Sequence, residues 1–461
     1  MRTLIAGGTV VTASATYPAD LLIDGETIVE VAAPGTVTGP ADRTIDAGNR
    51  LVIPGAVDAH THMELPVADT TSSDDFETGT IAAAMGGTTT IVDYAGQTRG
   101  STLAAGLGAW MERAEGRAVI DYGFHMMVTD VHPGTLDEFA AMTEAGVTTF
   151  KLFTAYPGTN YSDDGQILAA MQRAVEVGAT VMMHAENGIA IDVLRTQAIE
   201  RGERDPIFHL VTRPASLEAE AVHRVIALAE IAECPLVIVH ISSADALHEV
   251  VLGRDRGVPV YAETCPQYLT LGIEDLPSGF DAARFVCSPP LRWRQEGHQE
   301  TLWAGITTGR VDLVATDHCP FSWEQKQAGR GDFTKIPNGV GSVEHRLDLV
   351  YQGVVEGRFT ASRWVEVCCT TPARLGGLYP RKGAIAPGSD ADLVIYHPDR
   401  RHTLGAASHH MNIDYSVYEG IEVTGGVEAV LSRGEVIVED RTWVGAPGRG
   451  RYLPRGSNQL S

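Results

Sequence analysis

His60-Thr61-His62 closes the apolar run Leu51-Val52-Ile53-Pro54-Gly55-Ala56-Val57-Asp58-Ala59. Alternation along a strand puts residues i and i+2 on one face, so both imidazoles point the same way at the strand's C-terminal end. Neutral imidazole is the commonest protein ligand for zinc and similar metals. An H-x-H pair alone says little. Here four more apolar segments end in Lys151, His184, His240 and Asp317. Five strand ends then deliver six metal-compatible groups.

Lys151 lies in Thr148-Thr149-Phe150-Lys151-Leu152-Phe153-Thr154-Ala155-Tyr156. An ammonium is costly to bury in an apolar strand, and it would repel a divalent metal. Its CO2 adduct, an N-carboxylated lysine, is instead a two-oxygen anion able to bridge two metals. His184 ends Thr180-Val181-Met182-Met183, and His240 ends Pro235-Leu236-Val237-Ile238-Val239. They supply a second metal once His60, His62 and the carbamate hold the first. Asp317 closes Val311-Asp312-Leu313-Val314-Ala315-Thr316, where a carboxylate can touch a metal and still move a proton. Taken singly, the lysine reads as a snorkelling side chain, each histidine as a satisfied core residue and the aspartate as a helix N-cap. The constellation favours ligation.

These groups need elements to hold them. Candidate strands end near His62, Asp93, Met127, Lys151, His184, His240, Glu263 and Asp317. Helix-like runs lie between them, such as Ser216-Leu217-Glu218-Ala219-Glu220-Ala221-Val222-His223-Arg224-Val225-Ile226-Ala227-Leu228. Eight strand–helix units over 53–377 predict an α/β fold, a (β/α)8 TIM-like barrel, whose active sites lie at the C-terminal strand ends. The first fifty residues read instead as short strands, Thr3–Ala6, Thr9–Val11, Asp20–Ile23 and Thr27–Val31, punctuated by Gly, Pro and Asp. Ala391–Tyr396 and Ala429–Val438 read alike. The expectation is one small β-sandwich domain built from both termini, 1–52 plus 378–444, with 445–461 as a C-terminal arm.

Bulk properties narrow the partners. The chain has 461 residues, 44% apolar and 20% charged, with a formal net charge of -24. That charge repels nucleic acid and anionic membranes, so neither is expected as a partner. No apolar stretch reaches the roughly 18–20 residues that span a bilayer. The start of the chain has no long apolar signal segment. Six cysteines are scattered without a C-x-x-C pair, which predicts a reducing, cytoplasmic setting.

The motifs together resemble the cyclic amidohydrolases of the dihydropyrimidinase/hydantoinase group, in the amidohydrolase superfamily. They are Asp58-Ala59-His60-Thr61-His62, Gly86-Gly87-Thr88-Thr89-Thr90, Phe150-Lys151-Leu152-Phe153 and His184-Ala185-Glu186-Asn187. Further on come Glu263-Thr264-Cys265-Pro266-Gln267-Tyr268-Leu269, Ser288-Pro289-Pro290-Leu291-Arg292, Ala315-Thr316-Asp317-His318-Cys319-Pro320-Phe321 and Asp332-Phe333-Thr334-Lys335-Ile336-Pro337-Asn338-Gly339. The resemblance covers nearly the whole chain. It implies two zinc ions bridged by N6-carboxylysine at Lys151, with other divalent metals as alternatives. Asp317 is then both ligand and proton shuttle. Tyr156, Ser288 and Asn338 hold a small cyclic ureide, and Tyr156 also donates to the developing oxyanion. The product is an N-carbamoyl amino acid. The resemblance also implies a homotetramer.

Dihydroorotases carry Arg two positions after the second histidine, where this chain has Glu64. The expectation is that an anionic ring is repelled. Leu65, Phe153 and Tyr161 are expected to line the pocket for an apolar or aromatic ring substituent. The alternatives are an allantoinase-like ureide hydrolase and a non-catalytic scaffold of the same fold.

Overall fold

Eight parallel strands follow one another around a barrel in the computed structural model, which describes residues 1–460. They are Ala56–Thr61, Thr88–Gly96, Asp121–Met127, Thr149–Phe153, Thr180–His184, Leu236–Ile238, Val260–Thr264 and Leu313–Val314. Each pairs with the next in chain order. The ring closes where Thr61 bridges His318 and the His62 N–H donates to the His318 carbonyl at 2.9 Å. The predicted strand ends therefore lie on one rim.

Alternation decides which side chains reach that rim. On Thr149–Phe153, Phe150 and Leu152 pack outward into the large core under the helices, while Phe153 joins the barrel interior. Lys151 shares the inward face with Phe153. On the neighbouring strand Met182 fills the interior, and Val181 and Met183 point outward. Register pairs Lys151 with Met182 and Phe153 with His184. An apolar floor of Ala59, Tyr94, Met182, Val237 and Leu313 thus underlies the polar groups.

The outer layer follows from amphipathic spacing. Helix Asp164–Glu176 starts at a capping box between Asp163 and Gln166 and buries Ile167, Ala170, Met171 and Ala174. Burial of each large apolar side chain contributes about 1.5–3 kcal/mol. The helix expected over 216–228 spans Ala215–Ala232 and stops at Glu233, whose φ of 53° leaves the helical region.

The termini meet in one nine-stranded sheet with a core of its own. Leu51–Pro54 joins them, parallel to Arg2–Val11 and antiparallel to Leu393–Thr403. The two strands expected at 3–6 and 9–11 are one strand with a bulge. Gly7 takes φ 74°, which lets the ladder shift between Ile5 and Gly8 without ending. This domain is tied to the barrel base by a buried charge cluster. The Lys382 ammonium sits 2.7 Å from Asp121, 2.7 Å from Asp392 and 2.9 Å from Asp390, and Arg433 pairs with Asp121. Each charge satisfies the others, since an unpaired one would carry a heavy desolvation cost.

The segment after Gly445 also reaches the base. Tyr452 bridges Tyr122, and Arg455 donates to the Phe124 carbonyl and to Thr149 Oγ1 at 2.7 Å. All six cysteines are buried and unpaired. Among the described residues no helix is long and apolar enough to cross a membrane.

Candidate active site

The six groups read from the sequence meet at the barrel's C-terminal rim. His60, Lys151, His184 and His240 are buried, with exposures of 3% or less. Ligand atoms of His60, His240 and Asp317 all lie within 4.8 Å of one another. His60 Nε2 is 2.9 Å from Lys151 Nζ and 3.1 Å from Asp317 Oδ1. His62 Nε2 is 3.2 Å from the same Asp317 oxygen. His184 Nδ1 and His240 Nε2 face each other at 2.9 Å.

Two carboxylates set the histidine tautomers. Glu263 Oε1 accepts from His60 Nδ1 at 2.6 Å, which turns the Nε2 lone pair toward Lys151 and Asp317. Glu186 Oε2 accepts from His184 Nε2 at 2.8 Å, which leaves the Nδ1 lone pair facing His240. Arg213 balances Glu186 at 2.8 Å and, despite burial, holds its carboxyl well below the usual range. Carboxylate-oriented imidazole is the usual support of a metal-binding histidine. Sequence reasoning missed these two roles. Their signals are the glutamate ending Val260-Tyr261-Ala262 and the i+2 spacing from His184 to Glu186.

The donor set fits divalent metal. Burial lowers His62 to about 3 and pushes His184 and His240 down as well, so their imidazoles are neutral and hold lone pairs. His62 Nδ1, His240 Nδ1 and Glu263 Oε2 are buried without a partner. Burial raises Asp317, but His60 and His62 outweigh it and keep the carboxyl ionised. Burial also lowers Lys151, which lies 4.1 Å from the centre of the Tyr94 ring and, among the described residues, has no carboxylate paired to it. A neutral amine is the form that CO2 carboxylates. The chain has only four lysines, and three of them, Lys151, Lys326 and Lys382, are buried.

A cleft of about 600 Å³ opens above these groups. Tyr156, Ser288 and Asn338 line it, and Asn338 Nδ2 donates to Ser288 Oγ at 3.2 Å. The Tyr156 ring lies 5.1 Å from that of His184, and burial pushes its phenol above the usual value, keeping it a donor. Tyr156, His240 and Asp317 take φ of 62°, 43° and 51°. Left-handed backbone is costly for non-glycine residues, and these three side chains line the cleft. Gly339, also in the wall, has φ 147°, and a Cβ there would meet the Cys319 carbonyl at 2.1 Å.

Two expectations about the wall need correction. Leu65 and Phe153 line the cleft, with Pro66, Val67, Trp110 and Met127, but Tyr161 does not. Its backbone bridges Phe153 instead, because the loop after the fourth strand folds back on that strand. Glu64 does not face the cleft either. With φ 52° its side chain turns to Arg117 at 3.0 Å. Arg113 holds the Glu64 carbonyl at 2.7 Å, and it is Arg113, stacked 4.3 Å over Trp110, that lines the cleft. Glu64 is therefore not placed to produce the expected repulsion of an anionic ring.

This chain is similar to known proteins along its whole length. The pattern of the Amidohydrolase family matches residues 51–437. The D-hydantoinase of Streptomyces coelicolor is 55% identical over 99% of both chains. That of Geobacillus stearothermophilus is 44% identical over 99% of this chain and 97% of its own. The crystal structure of dihydropyrimidinase from Brevibacillus agri superposes with a TM-score of 0.97 at 44% identity, covering 99% of each chain. An L-hydantoinase from Arthrobacter aurescens has a TM-score of 0.88 at 29% identity, covering 98% of this chain and 99% of that one. With the family pattern spanning most of the chain and relatives matching it end to end, the protein belongs to the amidohydrolase family, among the cyclic amidohydrolases of the dihydropyrimidinase and hydantoinase group.

Proposed function

We propose that this enzyme hydrolyses the cyclic amide of 5-substituted hydantoins and dihydropyrimidines to N-carbamoyl amino acids. The observation that carries the reading is the buried convergence of His60, His62, Lys151, His184, His240 and Asp317, with two histidines oriented by Glu263 and Glu186. His60, His62 and Asp317 would hold one zinc, and His184 and His240 a second, with Lys151 as the bridging carbamate. Zinc bound there supplies a hydroxide nucleophile near neutral pH and polarises the scissile carbonyl.

The chain's own groups do the rest. Asp317, held ionised by the histidines, accepts a proton at Oδ and passes it to the departing ring nitrogen. Tyr156 O–H donates to the oxygen that gains charge, a contact stronger in the transition state than in the ground state. Ser288 and Asn338 grip the ring edge. Leu65, Phe153, Trp110 and Met127 form an apolar wall for the substituent and keep water from it. Relatives named D-hydantoinase favour the D enantiomer of a 5-substituted hydantoin.

A homotetramer suits the apolar face of helix Gly188–Glu200, where Ile189 and Val193, one turn apart, are each 53% exposed. Contiguous exposed apolar surface marks association sites. Sedimentation should read four chains per particle, and a monomer at micromolar concentration overturns this.

Initial rates test the substrate directly. D-phenylhydantoin and dihydrouracil should both open, with the D ring faster than its L enantiomer. Failure to open any hydantoin or dihydropyrimidine with metal-loaded enzyme sinks the assignment.

Lys151→Ala should lose bound metal and turnover, and short carboxylic acids should restore part of both. Retention of full metal content and turnover contradicts the bridging role.

Asp317→Asn keeps an oxygen for metal but removes the proton acceptor. The expected fall in kcat is about 10²–10⁴-fold, the usual contribution of a positioned acid–base group, with metal still bound. A kcat within about threefold of the parent would assign the proton to another residue.

A further inference from the structure

Lys326 ends the short helix Trp323–Lys326, which starts at a capping box between Ser322 and Gln325. Its side chain runs into the wall of the cleft and is fully buried. Nζ donates to three backbone carbonyls: Val286 at 3.1 Å, Pro337 at 2.7 Å and Gly339 at 2.9 Å. An ammonium has three N–H groups, and all three are used. Among the described residues no carboxylate pairs with it. A buried cation is therefore held by carbonyl dipoles and the Phe321 ring, with no counter-charge.

The three carbonyls are not a random set. Val286 stands two residues before Ser288. Pro337 and Gly339 flank Asn338. The two segments also touch directly, through Gly339 N–H to the Val286 carbonyl at 2.9 Å and Asn338 Nδ2 to Ser288 Oγ. Ser288, Asn338 and Gly339 all line the cleft. One Nζ thus sets the spacing between the segments that carry two of the proposed substrate contacts.

We propose that the Lys326 ammonium is a positioning residue for substrate binding, pinning the Ser288 and Asn338 segments in the register that grips the ring. The inference rests on the roles proposed above for Ser288 and Asn338. Lys326 does not touch the metal ligands, so its effect falls on substrate affinity and not on the chemical step.

The clamp also has a pH dependence. Burial lowers Lys326 to about 7. The groups facing it are the Cys287 thiol, pushed up to about 12 by burial, the Cys319 thiol, pushed higher still, and the Phe321 ring at 5.6 Å. His209, bonded to the Cys287 carbonyl at 2.9 Å, is lowered to about 3 by burial and is neutral. On the packed turns, Arg284 stacks on Trp323 and Asp332 pairs with Lys335. Of these groups the lysine is the one that burial brings nearest to neutral pH. Below its pKa the ammonium holds three carbonyls. Above it the amine has two N–H groups and no charge, and charge-assisted bonds are about twice as strong as neutral ones.

The test is steady-state kinetics on dihydrouracil, a ring that stays neutral across the range, with zinc-loaded enzyme. Lys326→Met should raise KM about tenfold at about pH 6, with kcat within about threefold and metal content unchanged. The KM ratio of variant to parent should shrink as pH rises from about 6 to 9, because the parent loses its own clamp. Lys326→Gln, with two N–H groups, should fall between them at low pH. A ratio near one at about pH 6, a ratio constant with pH, or a loss of kcat and metal at unchanged KM overturns the proposal. If neither variant folds, the parent alone decides. Its KM must rise through about pH 7–8, and a flat or falling KM overturns the proposal. A parent that opens no cyclic ureide defeats the substrate reading instead.

Discussion

Burial of ionisable groups without bulk water is the constraint on which the rest of this structure depends. Histidine, lysine and carboxylate side chains crowd the barrel rim on a floor of Ala59, Tyr94, Met182, Val237 and Leu313. In such surroundings each charge must be neutralised, paired or hydrogen-bonded. The chain uses all three routes. Burial holds His62, His184 and His240 neutral, Glu186 pairs with Arg213, and Glu263 spends one oxygen on His60. His62 Nδ1, His240 Nδ1 and Glu263 Oε2 remain buried without a partner.

The same constraint explains the scarcity of lysine. Of four lysines, Lys335 alone is exposed. Arginine, whose guanidinium stays charged, serves elsewhere. Lysine appears where a compact Nζ has to fit a small polar cage. Lys382 sits among three aspartates at the barrel base, Lys326 among three carbonyls beside the cleft, and Lys151 beside His60. Three burials of one residue type thus meet three kinds of partner: carboxylates, backbone carbonyls and an imidazole.

Left-handed backbone also shapes the rim. Tyr156, His240 and Asp317 adopt left-handed φ at the ends of three different strands. Each turn aims a side chain back over the barrel mouth, which a regular exit from the strand would not do. The surrounding apolar packing has to over-determine these conformations, since each costs on the order of 1–3 kcal/mol. The rigid barrel supplies that packing, and the loops supply the chemistry.

Much of this was legible from the chain alone. Period-two alternation and polar strand ends are local properties, so the barrel, the shared rim and the six rim groups could be read directly. The motif match added the family. Side-chain partners chosen across long sequence separations could not be read. Glu263 lies 203 residues from His60, and Lys382 lies 261 from Asp121. Nothing local says that Glu64 turns away to Arg117 while Arg113 faces the cleft, or that Tyr161 folds back against Phe153. Nor could the Gly7 bulge be told from a turn, because both use the same positive φ. Sequence by itself determined which residue types stand at which strand ends, since covalent order and strand period settle that. Only the tertiary structure decided tautomer, pairing and the direction each loop side chain takes, because those follow from what the closed barrel brings within hydrogen-bond reach.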